Sequence, residues 1–181
     1  MKYNLEKTLL TMLPIILSLA WAAPSKAVIF PRPLEGISEV RIVIDKLPPD
    51  AFTLNITEKA LKDTILTLLN RNLPELKLTD SAPVDLNVSL ALIRATSKTG
   101  SYLGYYSHLL VKLVDYVRVP YPSVEAPEFY RLAKALLWER GVLFGGSSED
   151  AWGQLENILT ETMERFATDY CYDNPGCRKG E

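Results

Sequence analysis

Apolar and polar positions alternate early in the chain, where Val40, Ile42 and Ile44 face one way and Arg41 and Asp45 the other. Period two predicts a half-buried strand, and Pro48-Pro49 stops it. Asn55 or Thr57 can cap a helix in which Leu61, Ile65, Leu68 and Leu69 recur at helical spacing until Pro74 ends it. Leu76 and Leu78 suggest a short strand. Leu86, Val88, Leu90 and Leu92 then alternate with Asn87, Ser89 and Ala91, a second clear strand. A polar stretch with Gly100 turns the chain, and a long strand from Tyr102 to Val119 follows, up to Pro120-Tyr-Pro122. Two such runs joined by a turn predict an antiparallel hairpin.

The stretch Phe129 to Phe144 carries opposed signals. Arg131-Leu-Ala-Lys-Ala-Leu-Leu favours helix by propensity, whereas Trp138-Glu-Arg-Gly-Val-Leu-Phe144 favours strand. A strand completes a meander, so strand is the expectation. Gly145-Gly-Ser-Ser148 breaks it, and Ser147 can cap a final helix with Glu149 and Asp150 at its positive end. Leu155, Ile158, Leu159, Thr162, Phe166 and Tyr170 form the buried stripe of that helix. The order strand, helix, antiparallel strands, helix predicts an α+β two-layer sandwich: an antiparallel meandering sheet with two helices on one face.

The N-terminus has a different character. Lys2 and Lys7 precede a charge-free run from Leu9 to Ala23, and small residues stand at its end and just beyond it, at Ala20, Ala22, Ser25 and Ala27. That is the layout of a secretory signal peptide. The run is shorter than the roughly 20 apolar residues of a spanning helix and contains Pro14. The expected organisation is a signal peptide over 1–27 and one domain over 28–181, giving a periplasmic or secreted mature form that does not span the membrane. Val28 to Gly36, with Pro31 and Pro33, reads as an extended lead-in.

Composition adds exclusions. The 181 residues carry 20 Lys and Arg against 22 Asp and Glu, with 48% hydrophobic residues. This is globular rather than disordered. No block of basic residues marks a nucleic-acid partner or a polybasic membrane patch. The single His, His108, alternates with Tyr106 and Leu110 opposite Leu109, Val111 and Leu113. No Asp, Ser or Cys signature frames it, so it reads as solvated or hydrogen-bonded rather than catalytic. Gly145-Gly146 before a helix reads as a tight turn rather than an anion cradle. Asn55-Ile-Thr57 and Asn87-Val-Ser89 match the glycosylation acceptor pattern, but Asn87 sits within a strand. No cofactor or metal set is expected.

Two groups of residues remain as candidates. Cys171 and Cys177 flank Asn174-Pro175-Gly176, a turn-forming sequence, and in an exported chain such a pair reads as a structural disulfide. Closing so short a loop is worth about 2 kcal/mol in the chain-entropy model. A redox-active pair is the alternative, although the spacing is not Cys-X-X-Cys, and a metal site would need further ligands. Tyr102, Tyr105 and Tyr106 crowd the expected hairpin tip. They either pack across strands or form a surface for a protein or carbohydrate, and they are the candidate interaction surface.

Trp138-Glu-Arg-Gly, Gly145-Gly146, Phe166-Ala-Thr-Asp-Tyr170 and Asn174-Pro175 resemble a pattern found in small uncharacterised exported bacterial proteins. The order of elements also resembles small envelope domains. One is the lipoprotein that assists lipopolysaccharide delivery at the outer membrane; another is the N-terminal domain of the Tol-system propeller protein. These resemblances imply a protein-interaction role without catalysis, in envelope assembly or maintenance. The chain lacks the lipobox of the first and the propeller of the second, and no functional residue transfers. The expected partner is an envelope or secreted protein. The competing classes are a hydrolase using Asp45, Asp115 or Glu139, which would need a carboxylate pair in a pocket, and a small-ligand carrier, which would need an apolar cavity.

Overall fold

The computed structural model describes residues 32–120 and 130–177. The expected signal peptide, and Phe129 at the start of the ambiguous stretch, lie outside the described residues. Five strands, β1 (Glu39–Ile44), β2 (Lys77–Leu78), β3 (Asp85–Thr96), β4 (Tyr102–Pro120) and β5 (Tyr130–Gly146), form one sheet in the order β2-β1-β3-β4-β5. Three helices accompany them: α1 (Pro49–Thr53), α2 (Glu58–Asn72) and α3 (Ala151–Asp173). The class is α+β, as the periodicities predict.

The meander is confined to β3–β4–β5, which pair antiparallel. β1 pairs in parallel with both β2 and β3, so the sheet is mixed. The cause is the connection: the chain leaves β1, crosses through α1 and α2, and returns as β2 in the same direction, which a hairpin cannot do. Within the β1–β3 pairing, Arg41 lies opposite Asp85. Its Nε and Nη2 donate to Asp85 Oδ1 at 2.8 and 2.7 Å. A charged pair at the buried start of β3 pins this register.

Local chemistry sets the helix ends. Thr57, rather than Asn55, caps α2, its Oγ1 accepting from the Ala60 amide at 3.2 Å. Asn55 instead takes a positive φ of 58° in the turn before it. β1 already ends at Ile44, ahead of Pro48-Pro49; Pro49 opens α1, where a proline lacks an amide that would be unpaired anyway. Ser147 does not cap α3. A 3-10 turn over Ser148–Asp150 intervenes, and neither Ser147 nor Asp150 makes a side-chain cap bond.

The core lies between the sheet and α2 with α3. Leu61, Ile65 and Leu69 of α2 and Leu155, Leu159 and Phe166 of α3 meet Leu86, Leu109, Val111 and Leu113 of the sheet, all buried. Trp138 of β5 closes one side, its ring edge-on to Phe166 at 5.2 Å and its Nε1 donating to Asp169 at 3.0 Å. The strand choice for the ambiguous stretch holds: Trp138 reaches the core only because β5 alternates.

Candidate interaction surface

Side chains of one strand parity enter the core, and those of the other reach the opposite face of the sheet. On β4, Tyr105, Ser107, Leu109, Val111 and Leu113 are buried. Their neighbours Tyr106, His108, Leu110 and Lys112 therefore occupy the face away from the helices. The three candidate tyrosines are separated by this rule. Tyr105 is 2% exposed; its hydroxyl donates to Gln154 Oε1 of α3 at 3.1 Å, and its ring meets Phe144 edge-on at 6.1 Å. Burial first, and then the negative charge of Asp150, push the Tyr105 hydroxyl above the ordinary tyrosine value. Tyr105 is a core residue and is removed from the candidate surface. Tyr102 is half-buried beneath the Arg94 guanidinium, 5.1 Å from its ring centre. Tyr106, at 70% exposure, stands in solvent.

Register assembles the neighbours of Tyr106. Ile93 and Gly145 lie directly opposite it on β3 and β5, and Ala91 and Leu143 flank His108 one step along. Ile93 is 69% and Leu143 81% exposed. Three large apolar side chains thus share one uncovered corner of the face, a feature that soluble surfaces seldom carry without a partner. The imidazole of His108 lies over Gly141, where a Cβ would come within 2.8 Å of Nε2. Ile93 and Leu143 were absent from the sequence candidates. Their parity, opposite to the Leu86–Leu92 and Leu109–Leu113 series, is the signal that finds them.

Beside this corner runs an edge that no other strand among the described residues pairs with. β5 ends the sheet order, and its 17 residues span about 55 Å at a strand's rise per residue. β3 accompanies β4 only as far as Asp85 opposite Val114. Beyond it, Asp115–Pro120 and Tyr130–Ala135 form a two-stranded ribbon, a structure of marginal stability by itself. Tyr116, Leu132 and Leu136 are exposed along this part of the face. Lys134 lies 5.6 Å from the Tyr116 ring centre, and Lys112 pairs with Glu139 at 3.2 Å. β2, at the other edge, is two residues long.

The acidic candidates are dispersed. Asp45 accepts a hydrogen bond from Ser89 at the end of β1. Glu139 holds Lys112, and two strands separate it from β1, about 14 Å at sheet spacing. Asp115 accepts the Tyr116 amide on the ribbon. These positions do not form the carboxylate pair a hydrolase would use. Clefts of about 290 to 410 Å³ mark the surface. One lies on the open face among Asp45, Asn87, Ser89, Lys112 and Leu136. Among the described residues, Glu75, Cys171 and Cys177 have ligand atoms within 4.8 Å of one another. The two sulfurs lie at disulfide distance, with Cα atoms 5.1 Å apart, so thiolates for a metal would exist only after reduction. No helix among the described residues is long and apolar enough to cross a membrane.

No protein-family model matches the chain, and no curated protein does. Among solved structures, the chain is similar to the rare lipoprotein B from Shewanella oneidensis, at 17% identity and a TM-score of 0.26, over 74% of this chain and 91% of that one. It is similar to a minor lipoprotein from Acinetobacter baumannii, at 11% identity and a TM-score of 0.32, over 81% and 98%. A PDZ domain protein from Parabacteroides distasonis is similar at 10% identity and a TM-score of 0.33, over 78% of this chain and 33% of that one.

Proposed function

We propose that the protein is a non-catalytic interaction domain of the periplasm or the secreted space. Its partner is another protein, which presents an extended segment to the β5 edge and covers the apolar corner of the open face. The observation that carries this reading is the adjacency of the two features: Ile93, Tyr106 and Leu143 lie exposed beside an edge strand of 17 residues. An edge offers unpaired backbone groups to an added strand, and the side chains beside it give specificity. The export layout of the N-terminus supports the compartment, and the dispersal of Asp45, Asp115 and Glu139 supports contact rather than hydrolysis.

The test is recovery of a partner by the tagged, exported protein from envelope and medium fractions. Wild type is expected to retain a defined protein, and the Tyr106→Ser/Leu143→Ser double variant to lose it while keeping its thermal midpoint. Equal recovery by both proteins would contradict the assigned face. Substrate turnover abolished by Asp45→Asn or Glu139→Gln would replace this reading with an enzymatic one.

A further inference from the structure

The C-terminal end of α3 grips a segment nearly 140 residues away in sequence. Leu34, 1% exposed, belongs to the core although it precedes β1. Its amide donates to Asp173 Oδ2 at 3.0 Å, and its carbonyl accepts from Asn174 Nδ2 at 2.9 Å. Asn174 Oδ1 accepts the Gly36 amide at 2.9 Å, and the Tyr170 hydroxyl donates to the Ile37 carbonyl at 2.6 Å. Four hydrogen bonds thus hold residues 34–37 to the last turn of one helix. Two of the three residues that make them, Asp173 and Asn174, lie inside the loop bounded by Cys171 and Cys177, and Tyr170 directly precedes it. Cys177 also lines a surface cleft of about 290 Å³ together with Glu75, Asp173 and Asn174.

We propose that Cys171 and Cys177 form a thiol-exchange site that locks and releases residues 34–37, the segment that precedes β1. In the locked state the sulfurs are bonded. The seven-residue ring then keeps Asn174, already past the end of the helix, in the one position from which both ends of its amide reach Leu34 and Gly36. Release needs a dithiol reductant. Its thiolate attacks Cys177 Sγ from the cleft, the Cys171–Cys177 bond breaks, and Cys171 leaves as a thiolate and takes up a proton. The reductant's second thiol then displaces Cys177. The protein gains two electrons and two protons as two thiols, and the reductant departs as a disulfide. With the ring open, Asn174 regains the freedom of a helix terminus and the lead-in loses two of its four anchors. A chain kept reduced would thus hold residues 34–37 loosely.

Amide hydrogen exchange on the exported full-length protein tests this, before and after dithiothreitol without denaturant. Exchange at Gly36, whose amide Asn174 Oδ1 accepts, is expected to accelerate about tenfold or more on reduction, because the ring's constraint on local opening is removed. The Leu109 and Leu113 amides should not change. Asn174→Ala, with both cysteines kept and the bond intact, should produce the same acceleration at Gly36, whose amide loses its acceptor. Unchanged exchange at Gly36 after complete reduction would overturn the proposal. So would acceleration throughout the sheet, which would make the bond a support of the whole fold, and so would free alkylation of both thiols before any reductant is added.

Discussion

Replacing Tyr105 by Ala and, separately, Tyr106 by Ala perturbs two neighbours whose side chains leave β4 on opposite sides. The Tyr105 ring is buried against Phe144 and its hydroxyl is bonded to Gln154. Truncating a buried aromatic side chain costs about 3–5 kcal/mol, and leaving Gln154 short of a donor adds about 1 kcal/mol. At Tyr106 only exposed surface is lost, and such changes stay within about 0.5 kcal/mol. Urea unfolding separates the two outcomes. With a slope of about 2 kcal/mol per molar for a domain of this size, Tyr105→Ala should lower the midpoint by about 2–3 M, and Tyr106→Ala by about 0.25 M at most. Tyr105→Phe removes the hydroxyl alone and should cost about 1 kcal/mol. Comparable losses for Tyr105→Ala and Tyr106→Ala would refute the assignment of the two faces, and with it the location of the apolar corner.

Further expectations concern single features. Gly145→Ala places a Cβ 2.5 Å from the Tyr105 carbonyl oxygen, a clash of backbone with backbone, and should cost about 1–3 kcal/mol in urea unfolding. Asp85→Ala strips Arg41 of both its bonds at the start of β3 and should destabilise by about 1–3 kcal/mol, whereas Lys59→Ala, in an exposed pair with Asp63, should be nearly neutral. Tyr105 and Tyr170 have hydroxyl pKa values raised in the folded state, mainly by burial and then by Asp150 and Glu75 respectively. The unfolded chain therefore releases these protons first. Their contribution to stability is whole below about pH 10 and declines as the pH rises above it, and Tyr105→Phe should flatten that decline in a pH series of thermal midpoints.

Much of the architecture was legible in the sequence because burial and strand geometry share one period. The alternations at Val40–Ile44, Leu86–Leu92 and Leu109–Leu113 are the inner faces of β1, β3 and β4, and the α2 and α3 stripes follow the helical repeat. Alternation is silent about direction, so the parallel placement of β1 was not visible; it follows from the crossover through α1 and α2. β1 ends at Ile44, before the proline pair, and Pro49 opens α1 rather than stopping a strand. The Tyr105–Tyr106 distinction was available, since Tyr105 shares the parity of Leu109, yet tyrosines near a turn invite a surface reading that ignores parity. The grip of Asp173 and Asn174 on Leu34 and Gly36 leaves no trace in local pattern, because it joins distant segments through backbone atoms that every residue has.

The central claim, that the open face beside β5 is where a partner sits, is tested most directly by a photoreactive phenylalanine derivative placed at position 143 in the exported protein. A second protein carries it at Glu161, exposed on α3. Irradiation of intact cells is expected to join position 143 to a defined protein and position 161 to none. Cross-linking from 161 but not from 143 would place the contact on the helical side and contradict the account.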